Sequence, residues 1–326
     1  MKQEVMGKYL GMILHDNGVQ ASIRATVEDR IGKIRGATFE IRALIEDFRM
    51  AALGGLMGAW ILWEKALIPS LLAGCCNWVG IDQKTVDQLD EIQNLHIRVQ
   101  MKTSQKCPKV LLRAETSMLG MKHRVWKEKI MFIIQLRKLR EESLTREIFE
   151  EQRNQDWPGL VQEVSKICQD IGLEDENSCE VSKDKVDEII FYHHYREMKE
   201  EMSRMTKLDE IKGEDFRSVQ SYMNSCSIET ARMKFSLRGK MYKFRANYHG
   251  SYDKKERGCP ACSEERGEED NRSQGMSQDR PVIEEESQSH LAVCPYYSHL
   301  RQGLDIATTE GMVQYFQAVL QERDKK

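Results

Sequence analysis

From Ile23 to Phe48 the residues Ile23, Val27, Ile31, Ile34, Thr38, Ile41, Ile45 and Phe48 recur at steps of three and four, with charged residues between them. That period predicts one long helix with a single buried face. Leu56, Trp60, Trp63 and Leu67 continue as a second helix, expected to stop at Pro69, where the N–H is missing and the ring crowds the preceding turn. Asp82 is placed to cap a third helix carrying Val86, Leu89, Ile92, Leu95 and Val99. Pro108 opens a short fourth, and Trp126, Ile130, Ile133, Ile134 and Leu136 belong to a fifth. Ahead of these, Lys8 to Leu14 reads as a β-like run ending at the turn signal Asp16-Asn17-Gly18. Such a hairpin cannot fold alone and no partner sheet follows, so it is expected to be the trailing edge of a larger domain, its Tyr9–Leu14 edge open to self-association.

After Asp156-Trp157-Pro158-Gly159 the pattern restarts with an amphipathic helix around Val164, Ile167 and Ile171 and a polar break at Glu174 to Ser178. A long helix from Lys183 to about Met205 follows, then helical stretches at Ser218–Met223 and Ser227–Tyr242, and a last amphipathic helix near Met312 to Leu320. His193 and His194 fall in mid-helix and are read as packed or solvated residues, with no metal pair formed around them.

With 326 residues, 40% hydrophobic and 31% charged, the chain is long enough for two or three units with cores of their own. Six prolines among many Glu, Lys, Arg, Leu and Met favour helix throughout. The most apolar stretch, Met50 to Val79, contains Glu64, Lys65 and Pro69, which argues for buried helices and against a membrane span. Met1-Lys2-Gln3-Glu4 leads into no apolar leader. Nine scattered cysteines, with Cys75, Cys76, Cys107, Cys168 and Cys226 in or beside predicted helices, fit a reducing compartment, nuclear or cytoplasmic.

A net charge of −3 excludes a uniformly basic protein but conceals two opposed segments. Arg232 to Arg257 holds nine Lys or Arg against two acids, and Ser263 to Glu286 holds nine acids against three Arg. In the first, Arg232, Lys234, Arg238, Lys240, Lys243 and Arg245 interleave with Phe235, Leu237, Met241, Phe244 and Tyr248. Cations for phosphate beside rings for stacking make these six a candidate nucleic-acid surface. A basic amphipathic helix that only packs and is solvated has the same composition.

The strongest chemical signal is Cys259-Pro-Ala-Cys262 followed by His290-Leu-Ala-Val-Cys294, C-x2-C…H-x3-C. Two tight pairs of soft and borderline ligands close a tetrahedral shell around a structural zinc, and the polar residues between them supply no core that would hold the pairs together. A redox C-x-x-C would require a preceding strand and a βαβ pattern, which the sequence lacks, and a secreted disulfide fits the cysteine usage poorly. His299 is the alternative fourth ligand; His290 makes the more compact pair. Four protein ligands would leave no open position for zinc hydrolysis.

In order along the chain, these features resemble the C-terminal part of the reverse transcriptase of a non-LTR (LINE-type) retrotransposon. Lys8-Tyr9-Leu10-Gly11 resembles the strand closing the palm. Arg30, Ile31 and Gly36 lie in a stretch similar to the first thumb helix, and Lys65 to Leu72, followed by Trp78, resembles a thumb motif. Asp156-Trp157, Phe235-Ser236-Leu237-Arg238, Asn247-Tyr248 and Glu286-Ser287-Gln288-Ser289-His290-Leu291 before Cys294 recur in the same order in such elements. Ala73-Gly74-Cys75-Cys76 departs from the family, which carries an aromatic residue there. The aromatic-x-Asp-Asp turn that would hold two Mg²⁺ ions for polymerisation does not occur, and Glu214-Asp215 and Glu269-Asp270 lie in charged contexts without flanking strands.

The expected architecture is therefore mainly α. It comprises a palm-edge β remnant at 1–20, a helical thumb-like domain at 21–156, and a helical linker with the basic stretch at 157–252. A CCHC zinc-knuckle-like module with an acidic insert occupies 253–303, and a C-terminal helix and tail 304–326. The resemblance implies a nucleic-acid-binding fragment of an RNA-directed DNA polymerase without its catalytic centre, hence no polymerase activity from this chain alone. Its partners would be element RNA or target DNA rather than a membrane. The alternative is a zinc-stapled helical scaffold acting through protein partners, consistent with the low net charge and acidic insert.

Overall fold

The computed structural model describes residues 6–9, 11–47, 55–155, 158–173, 181–241, 258–262, 287–306 and 308–323. The chain is mainly α, as its periodicity predicts, with a single antiparallel hairpin among the described residues. It divides into two compact units, 1–205 with 212–220 and 206–211 with 221–326.

In the N-terminal unit β1 (Met6–Tyr9) and β2 (Met12–His15) pair with Tyr9 opposite Met12. The reversal uses Gly11 at φ +80°, a conformation natural to glycine, rather than Asn17-Gly18, which leads into the next helix. α1 (Val19–Glu46) buries Ile23, Val27, Ile34, Thr38, Ile41 and Ile45, the predicted face. One turn apart on its first half, Ser22 and Thr26 accept the backbone N–H groups of His15 and Ile13, each at 2.8 Å. The outer edge of β2 is thus occupied at both positions, which corrects the expectation of an open edge there. Arg30 donates to the carbonyls of Gly11, Leu71 and Ala73 at 2.7–3.1 Å, tying the hairpin turn to the segment after the second helix.

That second helix does not stop at Pro69. α2 (Leu56–Leu62) widens into a π-helical turn at Trp63–Leu67, and α3 (Ile68–Leu71) carries Pro69 at its start. In the wider turn the Ile68 N–H reaches back five residues to the Trp63 carbonyl, and the chain passes the proline without losing its helical course. α4 (Gln83–Met101) begins at Asp82, whose carboxylate accepts the Thr85 N–H at 2.8 Å, and α5 (Lys109–Thr116) begins after Pro108. His96 on α4 stacks on Trp63 at 4.6 Å between centroids and meets Trp60 edge-on.

α6 (Met121–Arg137), α7 (Leu144–Asn154), α8 (Leu160–Ile171) and α9 (Lys183–Ser203) complete this unit. One cluster unites Ile130, Ile133 and Ile134 with Phe149, Val164, Ile167, Val186 and Ile190. The expected boundary at Asp156 therefore falls inside a shared core, because the helices on its two sides bury their apolar faces against each other. Lys129, fully buried, donates to the Trp78 carbonyl at 2.7 Å and to Glu163 at 2.5 Å. The predicted polar break at Glu174 to Ser178 lies outside the described residues.

In the C-terminal unit α10 (Tyr222–Ser225) precedes α11 (Ile228–Arg238), which the Ser227 side chain caps at the Thr230 N–H. The helix expected over Ser227–Tyr242 thus ends at Arg238; Gly239 follows and Lys240 adopts φ +49°. α12 (Gln288–Val293) and α13 (Thr309–Arg323) pack with α11 in one core of Met233, Leu237, Cys259, Leu291, Cys294, Val313, Tyr315, Phe316 and Val319. Among the described residues no helix is long and apolar enough to cross a membrane.

Candidate metal centre

Cys259 and Cys262 stand one short turn apart, and their partners come from α12. Ser287 caps that helix by accepting the His290 N–H at 3.1 Å, which fixes its first turn. His290 and Cys294, four residues apart, then lie on one side of it. Arg301 donates to the carbonyls of Ala292 and Cys294 at 2.5 and 3.2 Å, and the Tyr315 hydroxyl donates to that of Leu291. These contacts tie the segment carrying His290 and Cys294 to the turn at Ser298–Arg301 and, through Tyr315, to α13. Neither residue was marked by spacing; only their positions in the folded unit reveal them.

The four ligand atoms converge. Cys259 Sγ and Cys294 Sγ are 3.9 Å apart, Cys262 Sγ and Cys294 Sγ 3.5 Å, and Cys262 Sγ and His290 Nε2 3.5 Å. A tetrahedral ion with metal–sulfur bonds of about 2.3 Å and a metal–nitrogen bond of about 2.0–2.1 Å requires edges of about 3.8 Å (S–S) and about 3.6 Å (S–N). The observed separations match that shell and are far longer than the ~2.05 Å of a disulfide. None of the three cysteines is in a disulfide. Cys259, His290 and Cys294 are buried and Cys262 partly so, making this a group that can hold a structural metal.

Burial pushes the Cys259 and Cys262 thiols up from their ordinary range; the Cys294 sulfur adds to the rise of both, whereas hydrogen bonds with Cys262 hold Cys259 back. In the metal-free state those thiols stay protonated, and a divalent cation is what would favour their thiolates. His299, the alternative ligand, is directed elsewhere: its Nδ1 lies 3.0 Å from the Tyr296 carbonyl and its Nε2 3.0 Å from Glu322.

The candidate nucleic-acid residues are less uniform than their sequence spacing. Arg232 is buried, at 7% exposure, so it offers little surface to a phosphate. Lys234 and Arg238, four apart on α11, are partly exposed, and the Arg238 guanidinium lies 5.9 Å from the centre of the Tyr222 ring. Lys240 reaches Glu210 at 3.0 Å. Lys243, Arg245, Phe244 and Tyr248 lie outside the described residues, as does the acidic insert. Of the pair Glu214-Asp215, Asp215 is held by Arg217 at 2.7–3.0 Å. Comparison of the chain with protein-family models, curated proteins and solved structures gave no match.

Proposed function

We propose that this chain binds nucleic acid through its C-terminal unit, as a piece resembling the thumb and zinc-knuckle region of a non-LTR retrotransposon reverse transcriptase. Zinc is the structural ion at Cys259, Cys262, His290 and Cys294, and the chain supplies no polymerase centre. The supporting observation is that α11 belongs to both features. Met233 and Leu237 bury into the core that carries Cys259 and Cys294, whereas Lys234 and Arg238 are partly exposed on the same helix. A metal that fixes the knuckle would therefore also fix the helix presenting these cations.

Lys234, Arg238 and Lys240, with Lys243 and Arg245 beyond, would contact phosphates and carry no base specificity. The closed four-ligand shell leaves zinc no position for substrate, so its role is to fold the unit. The test measures zinc content and binding of single-stranded RNA and duplex DNA oligonucleotides over a salt series, for the full chain and for Cys259→Ser/Cys262→Ser. Affinity falls steeply with salt in the parent and is lost with the zinc in the double variant. Lys234→Ala and Arg238→Ala each reduce the slope of log affinity against log salt by about 0.7 for single strands or about 0.9 for duplex DNA. Zinc retained with no affinity for RNA or DNA even at low salt refutes this reading and leaves the zinc-stapled scaffold.

A further inference from the structure

His123 on α6 meets His193 and Glu197 on α9. His123 Nε2 lies 3.0 Å from His193 Nδ1 and 3.5 Å from a Glu197 oxygen, and His193 Nδ1 lies 3.8 Å from the other oxygen. We propose that these three residues form a second metal site, in the N-terminal unit, for a divalent transition ion of the zinc class.

The distances carry the proposal. Two nitrogens and an oxygen bound at about 2.0–2.2 Å in a tetrahedral shell stand about 3.3–3.5 Å apart. The two nitrogens stand 3.0 Å apart and each lies 3.5 or 3.8 Å from its nearer Glu197 oxygen, values that bracket this range, and one ligand atom from each residue can be chosen with all three within 4.8 Å of one another. At 3.5 and 3.8 Å the carboxylate is at or beyond the limit of a hydrogen bond to either ring, yet close enough for one ion to touch all three groups. Both elements are rigid: His193 and Glu197 are one turn apart on a long helix, and α6 and α9 pack against each other in the core described above. His123 is buried, His193 nearly so, and the Glu197 side chain is 42% exposed, so the site is closed at its histidines and open to solvent at its carboxylate. The buried His194 packs edge-on against His123, ring centroids 5.0 Å apart, and its own Nε2 lies 3.2 Å from the Met118 carbonyl. Two histidines and one carboxylate leave coordination positions open to water, unlike the Cys₃His shell.

Among the cations near the site, which include Arg113 and Arg196, Lys122 opposes the ion most directly. Lys122 holds Glu197 at 2.8 and 3.0 Å and also lies 4.7 Å from the Trp126 ring centre. Its ammonium competes for the carboxylate, which makes it a diagnostic handle: removing it relieves the competition if a metal binds here and does nothing of the kind for an ordinary ion pair.

The site shares no residue with the Cys₃His group, so the two stand or fall separately. The experiment loads the full chain with zinc or cobalt, removes free metal, and counts ions per chain. Expected are two ions in the parent and one in Cys259→Ser/Cys262→Ser. His193→Ala and Glu197→Gln also retain one, with the cobalt–thiolate charge-transfer absorption intact. In the double-cysteine background Glu197→Gln weakens cobalt affinity at least tenfold, and Lys122→Met tightens it. Far-ultraviolet circular dichroism confirms the folded state of each variant. A folded double-cysteine variant that takes up no ion overturns the proposal, as does parental stoichiometry in folded His193→Ala and Glu197→Gln, or an affinity that Lys122→Met leaves unchanged. Loss of the thiolate signal alone would bear on the C-terminal centre only.

Discussion

Buried between two tryptophans, His96 is a neutral ring in an apolar slot, with Nδ1 3.4 Å from Thr38 Oγ1. Burial pushes its pKa down to about 4. Because the folded value lies below the unfolded value of about 6.5, the stability it confers is complete above pH 6.5 and is lost as pH falls toward 4. The loss amounts to at most about 1.4 kcal/mol per pH unit over that window. Urea unfolding at pH 7 and pH 4.5 should show the parent losing more stability on acidification than His96→Leu, which has no proton to take up there. The residues of the metal centre were legible because their chemistry is local: each pair sits within one turn. Glu197 stands four residues after His193, a spacing visible in the sequence, but its meaning depends on His123, separated from His193 by 70 positions. No periodicity joins residues that far apart, and so reading the two mid-helix histidines as merely packed or solvated missed a three-residue cluster.

Helix starts were read well where a side chain does the capping. Asp82 holds the Thr85 N–H and also Arg24 on α1 at 2.9 Å. Asp82→Ala should cost about 1 kcal/mol from the lost cap, whereas Asp82→Asn keeps the cap acceptor and loses only the ion pair with Arg24. Urea midpoints at unchanged m-value would rank the parent first, the asparagine variant next and the alanine variant last. Helix ends were harder. Proline at position 69 signals a stop under α-helical geometry, and nothing in the local residues announces the five-residue hydrogen bond that carries the chain past it. α7 escaped notice because Phe149 is its one buried residue, while Leu144 and Ile148 are exposed. The hairpin was legible as an element and wrong in its turn, since Asn17-Gly18 is the stronger signal in the abstract but Gly11 supplies the left-handed residue that the register requires.

For the whole molecule, two separate cores mean that metal removal should act on one of them. With a strong chelator, hydrogen exchange should accelerate across Ile228–Arg238, Gln288–Val293 and Thr309–Arg323, whose core includes Cys259 and Cys294, while Val19–Glu46 and Gln83–Met101 keep their protection. Equal loss of protection in both sets of helices would contradict independent cores. The division itself was hard to see beforehand, because a proline-glycine break at Pro158-Gly159 resembles a linker in the sequence while the flanking helices share buried surface.

The metal-ligand geometry also separates what is constrained in this gene from what is free. The two candidate ligand pairs each lie within a short stretch of chain, and residues 263–286 link one pair to the other in the sequence. The entropy of closing such a connection rises with the logarithm of its length, so doubling it costs only about 0.6 kcal/mol. On that ground alone a change in the length of this link would cost a metal held by the two pairs little, while a single change at Cys259 or Cys294 would take away one of the four groups able to hold it.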